Sequence, residues 1–211
     1  TGNKRITKDT VVIISSVTGN TKEVVEAIKK IKAEVGATVI SFVDAKEAIL
    51  LDLGDYKISY PMNEQLKFFM VADRFMFNNG EFEDYEDMYA EFDKYLAQAL
   101  VEVEKKAEPF AVEFAKKHWN DEMHYFVGAG NQWGATYSYA MCYWEEQLWL
   151  KTKSISSNEF FHGMFEIVTK ETPVTIYIGE DAQRPLSERV ANFIPRICEN
   201  YTIIDSKDYE L

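Results

Sequence analysis

The chain has 211 residues, with 35 acidic against 23 basic side chains and a net charge of −12 at pH 7. That balance argues against nucleic acid or an anionic membrane surface as a partner, because both would repel it. A hydrophobic content of 46% is enough for one large domain or two small ones, and no apolar run is long enough to span a bilayer. Two cysteines, Cys142 and Cys198, are too few for a disulfide framework. Cys142, set in an aromatic run, is expected as a small buried hydrophobe. Without a signal peptide the composition favours the cytoplasm.

The first element is the apolar run that starts at Val11. It leads through Ser16-Val17-Thr18-Gly19-Asn20-Thr21 into an amphipathic segment in which Val24, Val25, Ile28 and Ile31 recur at helical spacing. This reads as a buried parallel strand, a tight turn and a helix N-terminus. Such termini attract anions, since their first N–H groups are unpaired and the macrodipole is positive there. Ser16, Thr18 and Thr21 add hydroxyls, and Gly19 lets the backbone close in. An ordinary Ser/Thr cap on a βα unit would read the same way, and both readings stay open. The loop lies so near Thr1 that a preceding strand and helix are expected to be missing, leaving the first lobe incomplete. Gly36 is a plausible helix end, Ala37–Val43 the next strand and Tyr56–Ser59 another, an α/β pattern.

The middle, 63–119, reads as helical. Phe68, Phe69, Ala72, Phe75 and Met76 share a face, Asn78-Asn79-Gly80 marks a turn, and Tyr89, Phe92, Tyr95, Leu96 and Leu100 continue at helical spacing. The acidic run from Glu81 to Glu91 reads as a solvated face or turn. A second α/β unit follows: a strand at Met123–Val127, a long apolar helix from Trp133 to Trp149, a strand at Val174–Ile178, a helix from Arg184 to Cys198 and a last strand at Tyr201–Ile204. The expected organisation is therefore 1–62, a partial first lobe; 63–119, a helical connector; and 120–211, a second lobe.

Gly128-Ala129-Gly130 after a strand resembles the start of a dinucleotide fingerprint. Trp133 stands where its third small residue belongs, so a nicotinamide cofactor is set aside. The two glycines still imply a close backbone approach, to a sugar or to a neighbouring chain. Glu145 and Glu146 end the apolar helix, where the dipole disfavours carboxylates; one is expected in solvent and the other could face a cleft. Glu159 and His162 lie three apart, on one face of a helical turn. They are too few for a metal site, but an imidazole suits proton transfer near neutral pH. His118 and His124 read as structural or surface residues.

Ser16-Val17-Thr18-Gly19-Asn20-Thr21, Gly128-Ala129-Gly130 and Glu159-Phe160-Phe161-His162-Gly163-Met164-Phe165-Glu166 occur in one order, with Glu146-Gln147-Leu148-Trp149 between the last two. Together they resemble the sugar isomerase (SIS) superfamily, and within it the fructosamine-6-phosphate deglycases. The isomerase domain of glucosamine-6-phosphate synthase is similar more distantly. The resemblance implies an α/β fold: a three-layer αβα sandwich with parallel sheets, in two lobes joined by a helical segment. It implies that Ser16, Val17, Thr18 and Thr21 form the phosphate loop. Glu146 matches the glutamate that shuttles a proton between C1 and C2 of the open-chain sugar, His162 the acid–base histidine, and Glu159 a supporting carboxylate. It further implies a phosphosugar substrate, no cofactor and no metal, and a homodimer or higher homo-oligomer with a shared active site.

The implied activity is cleavage of an Amadori 6-phosphate to glucose 6-phosphate and a free amine. An aldose–ketose isomerase or glucosamine-6-phosphate deaminase, and a phosphosugar-sensing module without catalysis, are the alternatives. Ser156, Ser157, Asn158 and Met164 depart from the usual motif, so the amine is not specified.

Overall fold

The computed structural model describes residues 3–60 and 64–210, so the expected boundary at 62/63 lies outside the described residues. Two compact units are present, Thr1–Glu91 and Phe92–Leu211, and the division falls inside the segment read as a helical connector.

In the first unit a parallel sheet of order β1-β2-β3 is built from Val11–Ser16, Thr38–Val43 and Tyr56–Ser59. Alternation along β2 sends Val39 and Val43 to one face, where they pack with Val25, Ile28 and Ile31 of helix α1 (Lys22–Glu34) and Leu50 of α2 (Ile49–Leu53). Phe42 points to the other face and meets Phe68 of α3 (Glu64–Asn78) edge-on, ring centroids 6.4 Å apart. The acidic run is helical over Tyr85–Glu91 (α4), with its carboxylates on a solvated face. Phe77 and Tyr85 stack at 4.7 Å across the intervening Asn78-Asn79-Gly80 turn, and that contact holds the short helix in place.

The second unit opens with a π-helical turn, Phe92–Leu96, and continues as α5 (Ala97–His118), which carries Pro109 in its interior. Its sheet is parallel, in the order β5-β4-β6-β7. The strands are β4 (His124–Gly128), β5 (Thr152–Ser156), β6 (Val174–Ile178) and β7 (Tyr201–Asp205). Helix α6 (Gln132–Ser138) runs into a π-helical segment, Tyr139–Glu145, and α7 (Met164–Ile167) and α8 (Arg184–Phe193) complete the unit. Val127, Ile176 and Ile178 face Phe160, Met164, Val190 and Ile194, while Phe126 faces the opposite layer with Ala140 and Trp144. This unit is thus an αβα sandwich with a core on each side of its sheet.

The structure departs from the sequence reading at four further points, the first being a strand that reading did not contain. The polar stretch around Ser154 contains a strand, β5, which pairs with β4 along its whole length. β5 reads as polar because it is an edge strand with no fully buried residue. The long helix after Trp133 changes to π-helix and stops at Glu145, and the helix expected to reach Cys198 stops at Phe193, followed by a 3₁₀ turn at Ile194–Arg196. Pro195 within that turn lacks the N–H an α-helix would need. Cys142 is half-buried, not fully enclosed; Cys198 is the buried thiol. No helix among the described residues is long and apolar enough to cross a membrane.

Candidate functional site

Ser16 is the last residue of β1, and the chain turns back over it. The Gly19 N–H donates to Ser16 Oγ at 3.1 Å, Asn20 N–H donates to Thr18 Oγ1 at 3.3 Å, and Ser16 Oγ lies 3.3 Å from Thr21 Oγ1. Gly19 has φ +65°, and a Cβ there would overlap Val43 and Ala48. Only glycine meets both demands. The loop is laced to the segment after β2: Ala45 N–H donates to Val17 O at 3.3 Å, Leu50 N–H to Gly19 O at 3.0 Å and Ile49 N–H to Asn20 Oδ1 at 3.1 Å. Val17 and Thr18 are exposed. Thr21 occupies the N-cap of α1, yet its side chain makes no capping bond to the helix backbone. The opening N–H groups of a 13-residue helix therefore stand uncapped beside three hydroxyls. N–H and O–H donors thus share one side of the loop, a donor set suited to an anion.

The loop after β4 is built on the same plan, but it is filled from within. Asp181 Oδ2 accepts the Asn131 N–H at 2.9 Å, and Oδ1 accepts the Gln183 N–H at 2.8 Å. These bonds, Gln183 first and Asn131 next, hold the Asp181 carboxyl below the usual carboxylate range. A Cβ on Gly130 (φ +57°) would overlap that carboxylate, and one on Gly128 would overlap Thr136 Oγ1. The close approach expected at these glycines is therefore to side chains of the same unit, not to a sugar or a neighbouring chain.

Glu146 follows the π-helical segment and is exposed. Its N–H donates to Met141 O at 3.0 Å, the five-residue reach of a π-turn. Such turns are frequent at functional sites because they re-aim the side chains around them. Glu145 is tied down instead, its carboxylate accepting the Thr152 hydroxyl at 2.6 Å. Both carboxylates are exposed. Glu159 and His162 sit at the two ends of one 3₁₀ turn, where His162 N–H donates to Glu159 O at 2.9 Å. Phe160, fully buried between them, pins the turn to the core and leaves both polar side chains in solvent. Among the described residues no hydrogen bond or ion pair joins Glu146 to Glu159 or His162.

His118 and His124 are buried, which selects the structural of the two alternatives, and one carboxylate joins them. Asp121 Oδ2 lies 2.7 Å from His118 Nδ1 and 2.8 Å from His124 Nδ1, and His124 Nε2 lies 2.8 Å from Thr175 Oγ1. These three side chains are the group best placed to hold a metal among the described residues. Ligands around a tetrahedral zinc would stand ~3.3 Å apart, so the observed separations are those of hydrogen bonds. The regular spacing of His118, Asp121 and His124 was the one sequence signal for this network.

The SIS domain family matches residues 2–74. The chain is 29% identical over 210 residues to the fructosamine deglycase FrlB of Bacillus subtilis, covering 94% of this chain and 62% of that protein. It is 34% identical over 83 residues to the fructoselysine 6-phosphate deglycase of Escherichia coli K12, covering 39% of this chain and 24% of that protein. Its fold superposes on a candidate phosphosugar isomerase from Salmonella typhimurium LT2 with a TM-score of 0.90 and 26% identity, over 99% of this chain and 65% of that one. The chain thus spans a little under two thirds of the length of FrlB.

Proposed function

We propose, because residues 2–74 match the SIS domain family and the chain is similar to fructosamine deglycases, that the protein carrying it is an enzyme that cleaves a fructosamine 6-phosphate to glucose 6-phosphate and a free amine. The observation that carries this reading is the uncapped N-terminus of α1, set among the hydroxyls of Ser16, Thr18 and Thr21. It supplies N–H and O–H donors to a phosphate monoester without requiring a cationic side chain.

The chemistry requires a proton to leave C1 of the open-chain ketose and another to reach C2. The resulting C1=N imine takes up water, and the C1–N bond breaks to give the aldehyde and the amine. One carboxylate base and one group that titrates near neutral pH suffice. By their match to the family motif, Glu146 is proposed as the base, His162 as the acid–base at the ring oxygen and Glu159 as a supporting carboxylate. The same resemblance supports a homo-oligomer. The test is to incubate the full-length protein with Amadori 6-phosphates and with fructose 6-phosphate plus ammonia, following glucose 6-phosphate with a coupled dehydrogenase. Release from an Amadori substrate is expected. Activity confined to the simple phosphosugars would move the assignment to an isomerase or deaminase, and silence on all of them to a sensor.

A further inference from the structure

Among the described residues, Trp149 is the one non-glycine whose backbone is left-handed, with φ +58°. The helical segment that carries Glu146 ends there. Leu148 N–H still donates to Tyr143 O at 3.1 Å, and Leu150 N–H reaches back to Trp144 O at 2.9 Å. A left-handed residue at a helix end is usually glycine, because a Cβ is penalised in that conformation. Burial of the indole does not offset the penalty here, since Trp149 is 88% exposed. Glycine would serve this turn better, so the fold of the unit does not account for the tryptophan.

The surroundings of Trp149 suit a ligand. It forms one wall of a cleft of about 440 Å³ whose polar lining is Glu145, Lys151 and Thr152. The Glu145 carboxylate accepts the Thr152 hydroxyl at 2.6 Å, which fixes its direction, and a carboxylate can accept several such bonds. Lys151 adds an ammonium donor. An aromatic face flanked by one charged acceptor and one charged donor matches a polyol, whose hydroxyls both donate and accept and whose C–H faces are apolar. Opposite charges side by side favour a locally neutral ligand over an ion of either sign. Glu146, the proposed base, adjoins Glu145 and lies three residues before Trp149.

From this arrangement we infer that Trp149 is a substrate-contacting residue. Its indole stacks on the carbon chain of the sugar, while Glu145 and Lys151 bind hydroxyls of the same chain. The left-handed turn fixes the direction of the indole beside the base, and strain of this kind persists where a side chain must be held for function. The inference rests on the reading of Glu146 as the base and adds the groups that hold the sugar against it.

The experiment compares the full-length wild type with Trp149→Gly and Trp149→Phe. The melting temperature of Trp149→Gly is expected to equal or exceed that of the wild type, because the turn is relieved and little buried surface is lost. Its kcat/KM for an Amadori 6-phosphate should fall at least about tenfold, since a whole aromatic contact is removed, and that of Trp149→Phe should fall less. On titration with glucose 6-phosphate, tryptophan emission of the wild type should move to the blue as the indole leaves water. The shift should vanish in Trp149→Phe. A lower melting temperature in Trp149→Gly, an undiminished kcat/KM, or an emission shift absent from the wild type or kept by Trp149→Phe overturns the stacking assignment and leaves the deglycase reading intact. No turnover by the wild type, with the shift present there and lost in Trp149→Phe, overturns the deglycase reading alone. Neither turnover nor a shift overturns both.

Discussion

Asp181 places its carboxylate in the bend that Gly130 makes, with one oxygen on the Asn131 N–H and the other on the Gln183 N–H. The second unit thereby supplies its own anion to a strand–loop–helix turn, whereas among the described residues no carboxylate bonds to the corresponding turn at α1. Gly130→Ala combines a φ of +57° with overlap of that carboxylate, whereas Gly36→Ala meets φ +73° in open space. Gly36→Ala is expected to cost ~1 kcal/mol, the penalty of a left-handed residue alone. Gly130→Ala should cost more, ~3 kcal/mol, because packing must also shift. Urea unfolding of both variants checks the order, and equal costs would mean the Asp181 contact is not tight.

The phosphate loop should be separable from stability. Ser16→Ala with Thr18→Ala removes two hydroxyls but leaves the backbone bonds of Val17 and Gly19 in place. Bonds to a charged partner contribute ~1.5–3 kcal/mol each, so the dissociation constant for glucose 6-phosphate should rise at least tenfold, while melting temperature falls by no more than the loss of the Gly19 N–H acceptor explains, ~1–3 kcal/mol. Calorimetry with the full-length protein decides this. Unchanged binding would reduce the loop to a helix cap.

Glu146→Gln keeps the shape and hydrogen bonding of an exposed side chain while removing its basicity. Turnover of an Amadori 6-phosphate should fall by two to four orders of magnitude, the usual contribution of a general base. Binding of the phosphosugar should persist. A Glu146→Gln protein with near-normal kcat would rule out this residue as the base.

The buried histidine network predicts acid lability. Burial is the main influence holding the His124 imidazole neutral and pulls its pKa down to about 4; the Asp121 bond opposes this, and positive charge on His118 or Lys117 would add to it. In the unfolded chain the same group titrates near 6.5. Between those values the unfolded state binds more protons, so stability rises with pH across the window and is lost as pH falls from about 6.5 to 4. The loss attributable to this residue is ~3 kcal/mol. Urea midpoints measured at pH 7, 5.5 and 4 should fall steeply for the wild type and less steeply for His124→Gln. Parallel curves would assign the acid sensitivity to other groups.

Much of the fold is legible in the sequence because its signals are local. The strands at Thr38–Val43, Val174–Ile178 and Tyr201–Asp205 were readable from short apolar runs between turn residues. β5 was not, because Thr152–Ser156 carries one aliphatic side chain, Ile155, among polar ones. The end of the Trp133 helix was also hidden, since Tyr139–Glu145 keeps a helical pattern while its backbone changes to π.

By itself, the sequence determined the alternation of strand and helix, the two α/β units and the hydroxyl-rich turn at Ser16–Thr21, all of which depend on neighbours within a few residues. Tertiary structure alone decided which of two similar turns stays open. Asn131 meets Asp181 across 50 residues of chain, and His124 meets Thr175 across 51. Contacts of that separation form only once the strands have paired, and no periodicity or spacing records them. The sequence pattern therefore showed both loops, and the folded chain showed that one of them is already occupied by its own carboxylate.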